Sequence, residues 1–223
     1  SSDVCSSDLQ KEINEWIAAG NGIYQADVKP GDVKYVDVNH DGVINASDKV
    51  DLGNGLPKYT FGFNFSLAWK GFDLSANFTG AAGFQIAQSY RDPSSSQANY
   101  SRRILKRWTG EGTSNEIPRV TYGDVGNWLF SDLYLQDGDY IRLQNLTMGY
   151  DFKKLISWKG LSKMRLYFQV QNLFTLTKYD GMDPEIGSFN GTDGNSSDSW
   201  VSGVDMGYYP HPRTFIVGLN LAF

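Results

Sequence analysis

Cysteine is almost absent from this chain. Cys5 is the only one in 223 residues, which excludes an intrachain disulfide framework and any cysteine-based metal centre. Histidine is nearly as scarce, and neither His40 nor His211 has the spaced partners of a zinc site. No run approaches the roughly 20 apolar residues of a membrane-crossing helix. That lack leaves strands free to cross, because barrel strands alternate and escape a hydropathy scan. Nor is there a basic excess: 20 Lys and Arg stand against 25 Asp and Glu, for a net charge of −5. A broad nucleic-acid-binding surface is therefore excluded, since neutralising many phosphates needs surplus cations. Nucleophile elbow, phosphate loop and dinucleotide fingerprint are all missing. Carboxylate pairs such as Asp183 and Glu185 match glycosidase chemistry only by residue type, and Pro184 between them reads as a turn. With no catalytic constellation, the chain reads as a non-enzyme. It also opens without a leader: Ser-Ser-Asp-Val-Cys-Ser-Ser-Asp-Leu nearly duplicates one tetrapeptide, with no basic or apolar region behind it. Residues 1–9 read as foreign sequence joined to a truncated gene.

What is present is aromatic and glycine-rich: 13 Tyr, 13 Phe, 6 Trp and 24 Gly, with only 7 Pro. That composition suits strands and turns. After a short helical stretch at Gln10–Ala19, the clearest strand runs from Tyr59 to Trp69. Tyr59, Phe61, Phe63, Phe65, Leu67 and Trp69 occupy the odd positions; Thr60, Gly62, Asn64, Ser66 and Ala68 the even ones. Strict alternation puts a greasy face opposite a small polar one. Lys70-Gly71 makes a minimal turn, and Phe72, Leu74, Ala76 and Phe78 resume the pattern. Further strands are expected at about 139–152, 162–174 and 215–223. In the second of these Met164, Leu166, Phe168 and Val170 oppose Arg165, Tyr167, Gln169 and Gln171.

Two architectures fit this alternation. In a soluble sandwich the apolar face packs on a second sheet. In a membrane barrel it meets lipid while the polar face lines the lumen. Tyr59 and Trp69 bound a strand of membrane-crossing length with an interfacial aromatic at each end. Connection lengths favour the barrel. Residues 70–71 are a very short link, 87–138 a very long one, 153–161 short and 175–213 long. Short periplasmic turns alternating with long extracellular loops are the mark of outer-membrane barrels. The expected fold is therefore all-β: about five C-terminal strands of a transmembrane antiparallel β-barrel with long extracellular loops. Five strands cannot close in lipid, so the barrel reads as truncated. By region, 1–9 are foreign, 10–58 form an extracellular loop with a calcium-binding-like motif, and 59–223 supply the barrel strands. The alternative is a soluble, calcium-stabilised β-sandwich that binds carbohydrate.

The sharpest local motif runs from Asp37 to Asp48. Oxygen-bearing side chains stand at loop positions one, three, five, nine and twelve, with Gly42 at six. A calcium ion takes six to eight oxygens, and this spacing wraps a loop around one. Asp37, Asn39, Asp41 and Asp48 would ligate through side chains, Val43 through its carbonyl and Asn45 through water. Asp48 replaces the usual Glu, and its shorter arm makes bidentate ligation harder. The competing reading is an Asx-rich turn that binds nothing.

Several segments, in order and spacing, resemble SusC/RagA-like TonB-dependent transporters. They include Pro30-Gly31-Asp32-Val33-Lys34-Tyr35-Val36-Asp37, Asn39-His40-Asp41-Gly42-Val43-Ile44, Gly53-Asn54 and Pro57-Lys58-Tyr59. Gly71-Phe72-Asp73-Leu74-Ser75, Arg107-Trp108-Thr109, Ile117-Pro118-Arg119 and Asp139-Tyr140-Ile141-Arg142-Leu143 continue the match. Gln171-Asn172-Leu173-Phe174, Asp183-Pro184-Glu185 and Tyr209-Pro210 through Phe223 complete it. The resemblance implies a 22-stranded barrel with an N-terminal plug in the outer membrane of a Gram-negative, Bacteroidetes-type cell. It implies import of oligosaccharide or peptide driven through TonB, with a SusD-like surface lipoprotein capturing substrate. The closing strand, ending in Phe223, is similar to the signal read by the barrel-assembly machinery.

Two surface features carry a choice of readings. Arg102, Arg103, Lys106 and Arg107, interleaved with Ile104, Leu105 and Trp108, suit either a solvated helix face or contact with lipopolysaccharide phosphates or the lipoprotein partner. Tyr179, Phe189, Trp200, Tyr208 and Tyr209 suit either loop packing or stacking on sugar rings.

Overall fold

The computed structural model describes residues 2–3, 10–23, 27–89, 102–121, 126–156, 158–186 and 203–223. Five long strands build one antiparallel sheet: β1 (Tyr59–Trp69), β2 (Phe72–Ala82), β3 (Tyr140–Asp151), β4 (Lys163–Thr177) and β5 (Thr214–Ala222). Their order in the sheet is their order in the chain, so the topology is an up-and-down meander. All five expected strands are present. β4 runs to Thr177, three residues past its expected end at Phe174.

The hairpin between β1 and β2 is as tight as a hairpin can be. Lys70 and Gly71 both take positive φ, 48° and 95°, the conformation a two-residue turn needs to match strand twist. β3 and β4 are joined by 152–162, whereas 83–139 and 178–213 link the opposite ends of their strands. Long and short connections therefore alternate, as the sequence implied.

Register sorts the side chains onto two faces, because antiparallel partners point the same way. One row reads Leu67–Leu74–Met148–Phe168–Val217, and the next Trp69–Phe72–Tyr150–Leu166–Leu219. The opposite face carries Asn64–Asn77–Asn145–Gln171–Thr214 and Ser66–Ser75–Thr147–Gln169–Ile216. A bulge interrupts β3. Asn77 pairs with Asn145, but Phe78 pairs with Leu143, so Gln144 is an extra residue. The insertion shifts the alternation, which places Arg142 on the face of Asn145 although they lie three apart. Opposite it, Asn172 of β4 adopts φ 51° and its amide donates to the Pro212 carbonyl at 3.1 Å.

The chain divides into two compact units, residues 1–53 with 87–135, and 54–86 with 136–223. The second holds the sheet and a small core of Ala81, Phe84, Ile86 and Tyr179, with Tyr140 and Ile186 against it. The first contains the helix α1 (Gln10–Ala18), the Asp37–Asp48 loop and short 3₁₀ turns. Its organising contact is the buried Asp32 carboxylate. Arg119 donates to it from Nε at 2.6 Å and from its terminal nitrogen at 3.0 Å, and the Asn127 amide donates at 2.7 Å. Asn127 in turn accepts from the Val33 N–H at 2.8 Å, and Tyr35 donates to the Gly126 carbonyl at 2.7 Å.

Candidate functional site: a two-faced sheet, an Asx-rich loop and a buried ion cluster

The outer face of the sheet is apolar and uncovered. Tyr59 is 70% exposed, Phe63 60% and Trp69 66%, with Phe61, Phe65 and Leu67 also open. Phe215, Val217, Leu219 and Leu221 of β5 continue the same surface at the other edge. No second layer lies on it among the described residues, so the burial of Phe61, Phe63 and Phe65 that a sandwich requires is not observed. A patch of this extent on a water-facing domain would be far beyond the ordinary exposed apolar area. Aromatics gather at the short-turn end, where Tyr150 meets Phe152 edge-on at 5.0 Å and Trp158 meets Phe223 at 6.1 Å.

The inner face is polar and small. An ion pair between strands joins Arg165 of β4 to Asp73 of β2, with Arg165 Nε 2.8 Å from the carboxylate. Tyr167 lies beside the guanidinium at 5.0 Å. Arg142 heads a second cluster where the sheet meets the 178–213 loop. Its Nε donates to Thr175 at 3.0 Å, one terminal nitrogen to Glu185 at 2.8 Å and the other to Asp183. Asp183 also accepts from the backbone N–H groups of Glu185 and His211, each at 3.0 Å, and meets the His211 ring at 2.9 Å. Burial pushes the Asp183 carboxyl up. The two N–H groups, the His211 ring and the Arg142 guanidinium outweigh it and hold the carboxyl below its ordinary range. The turn expected at Asp183 and Glu185 is present, with the Asp183 carboxylate accepting from the Glu185 N–H two residues on; its tertiary role is what the sequence did not show. Asp183 is buried and anchors its loop through an ion pair with a residue 41 positions away.

Among the loop aromatics, Tyr179 is buried in the core and donates to Asp205 at 2.6 Å, so it packs rather than presenting a ring to sugar. Tyr208 is part-covered and Tyr209 fully exposed, while Phe189 and Trp200 lie outside the described residues. The basic segment forms a short 3₁₀ helix, Arg102–Lys106, with none of its residues buried.

In the Asp37–Asp48 loop the candidate oxygens accept from the loop's own backbone. Asp37 takes the N–H groups of Asp41 and Gly42 at 3.3 and 2.7 Å, Asn39 that of Asp41 at 2.9 Å, and Asp41 that of Val43 at 2.8 Å. Asn45 caps the 3₁₀ turn Ala46–Asp48 through Ser47, and its amide donates to the Val43 carbonyl at 3.2 Å. Asp48 closes the loop, accepting from Val38 at 3.0 Å and Asn45 at 2.7 Å. Asp37 and Asp48 are both buried residues, and Gly42 turns the chain at φ 83°. The Asn45 N–H is the largest influence on the Asp48 carboxyl. With the Val38 and Asn39 N–H groups and the Asp37 side chain, it overcomes desolvation and lowers the pKa. Among the described residues no three His, Cys, Asp or Glu side chains gather as a metal cluster. The donor set of three carboxylates, two amides and a carbonyl suits a hard, oxygen-seeking cation in kind.

Comparison with known proteins agrees with this geometry. No family model matches the chain. TonB-dependent receptor P3 of Formosa agariphila is 34% identical over 206 residues, 92% of this chain and 20% of that protein. TonB-dependent receptor SusC of Bacteroides thetaiotaomicron is 29% identical over 205 residues, 90% of this chain and 18% of that protein. The chain thus spans about a fifth of the length of the curated relatives it matches. The solved RagAB peptide importer in its open-open state superposes with a TM-score of 0.63 at 24% identity, over 88% of this chain and 21% of the other. The RagAB peptide transporter gives 0.58 over 77% and 18%. At that identity the structural match speaks for the fold alone. By sequence the chain is similar to one segment of the TonB-dependent receptors, SusC among them, and by fold to one segment of the RagAB transporter.

Proposed function

We propose that this chain is barrel wall of an outer-membrane importer that takes up oligosaccharide or peptide. The carrying observation is the uncovered apolar face of the five-strand sheet, backed by a polar face and bounded by aromatics at the short-turn end. Lipid satisfies such a face without a second protein layer. The open outer edges of β1 and β5 expose unpaired backbone groups, which lipid cannot satisfy, so the sheet functions within a closed barrel. The relatives' names supply TonB, and the family resemblance of the sequence supplies the other partners. Energy arrives through TonB, and a SusD-like surface lipoprotein delivers substrate. The barrel-assembly machinery inserts the protein through a strand such as β5. The solved relatives are peptide importers by name, and SusC stands among the sequence relatives, so both substrate classes remain in the proposal. The protein performs transport and no covalent chemistry. Calcium in the Asp37–Asp48 loop rigidifies an extracellular segment, supported by the motif spacing and by the all-oxygen donor set.

The test is fractionation of the full-length native protein, with gel mobility read before and after boiling. A boiling-dependent shift in the outer-membrane fraction is the expected result. A water-soluble product without a shift would overturn the proposal in favour of a calcium-stabilised sandwich.

A further inference from the structure

The ionic partners of the arginines are unevenly distributed. Arg119, Arg142 and Arg165 each grip a carboxylate. By contrast, Arg102, Arg103, Lys106 and Arg107 form no ion pair with any described residue, although the chain as a whole carries five surplus negative charges. No acidic residue occurs between Asp92 and Glu111, so the four cations have no compensation in sequence either. Leu105 projects from the middle of them at 76% exposure. The turn holds its own shape: the Arg107 N–H and guanidinium both donate to the Ile104 carbonyl, at 3.1 and 3.3 Å. Next to it the Trp108 ring seats against Gly31, where any side chain would collide with it.

A fixed turn that presents unpaired cations around a bare aliphatic side chain is built for a surface both anionic and greasy. Cations there meet phosphates, and the leucine enters the acyl boundary. We propose that the 102–107 turn docks on the phosphate layer of a phosphorylated lipid surface, tying this loop to the membrane. An acidic protein would account for the cations but not for Leu105 standing alone among them. This inference rests on the outer-membrane reading above.

The experiment uses the full-length protein in nanodiscs of phosphatidylcholine alone or with added lipid A, with hydrogen exchange of 102–108 as the readout. Boiling-dependent mobility is checked first in both preparations, so that loss of the barrel is seen separately from loss of docking. Exchange is expected to slow at least threefold with lipid A. The protection should disappear in R102S/R103S/K106S and at high salt, and weaken in L105S. Equal exchange in the two discs, with the barrel intact, would overturn the inference. So would equal protection by soluble inorganic tripolyphosphate in neutral discs, which would mark an anion site indifferent to lipid.

Discussion

Arg165 reaches across an intervening strand to hold Asp73, and Gly149 is the gap through which it does so. Arg165 sits on β4 and Asp73 on β2, with β3 between them. A Cβ on Gly149 would lie 2.6 Å from both Arg165 Nε and an Asp73 carboxylate oxygen. The bridge therefore ties three strands together with one ion pair. Gly149→Val should displace it and lower thermal stability by about 1–3 kcal/mol, the usual range for overpacking. In the Asp73→Asn background the same substitution should cost markedly less. Equal losses in both backgrounds would show that the glycine serves backbone conformation alone.

Phe63 lies midway along β1 on the uncovered face. Phe63→Arg should destabilise the assembled barrel by about 2–4 kcal/mol, the cost of a cation near the bilayer midplane. Asn64→Arg, one residue away on the polar face, should fold nearly normally. Refolding into bilayers, followed by denaturant titration, separates the two. Equal tolerance would mean that β1 does not face lipid.

The Arg142–Asp183 pair predicts a defined acid response. Because the folded state holds the Asp183 carboxyl below its ordinary 3.8, the stabilisation is present above that range. It is lost only as pH falls through the lower, folded value. Protection of 178–186 against exchange should therefore survive mild acid and fail in strong acid. Arg142→Ala should strip that protection at neutral pH, at a cost of about 3–5 kcal/mol for a buried charge left alone. Protection unchanged in Arg142→Ala would remove the pair from any anchoring role.

Calcium withdrawal should loosen 37–48 while leaving the sheet untouched. Chelation is expected to speed exchange of the Gly42 and Asn45 amides several-fold, with restoration by calcium and not by magnesium. Asp48→Ala should speed them irrespective of calcium, since Asp48 also caps the loop. Indifference to chelation in the parent protein would leave the loop as a self-satisfied Asx turn.

Where alternation is regular, local sequence carried the fold. β1, β2 and β4 could be read to within a few residues because each apolar side chain answers to a period of two. β3 could be located but its faces could not, since the bulge at Gln144 breaks that period. The three-residue shortfall in β4 has a related cause, because Asn172 takes a left-handed conformation there. The ion clusters were beyond reach for a different reason. Arg119 meets Asp32 across 87 positions and Arg142 meets Asp183 across 41, and no local rule pairs such residues. The same holds for Tyr179, whose burial depends on a core assembled from four separated segments.

The bulge in β3 also sets the tolerance of this strand to insertion and deletion. Gln144 is the position whose loss leaves every other residue of the strand pointing as it does now. A single deletion elsewhere in Tyr140–Asp151 transposes one flank, sending arginine or asparagine outward and leucine or methionine inward. Length variation among descendants of this gene should therefore concentrate at Gln144, and recombination within β3 should succeed only between parents that share its phase.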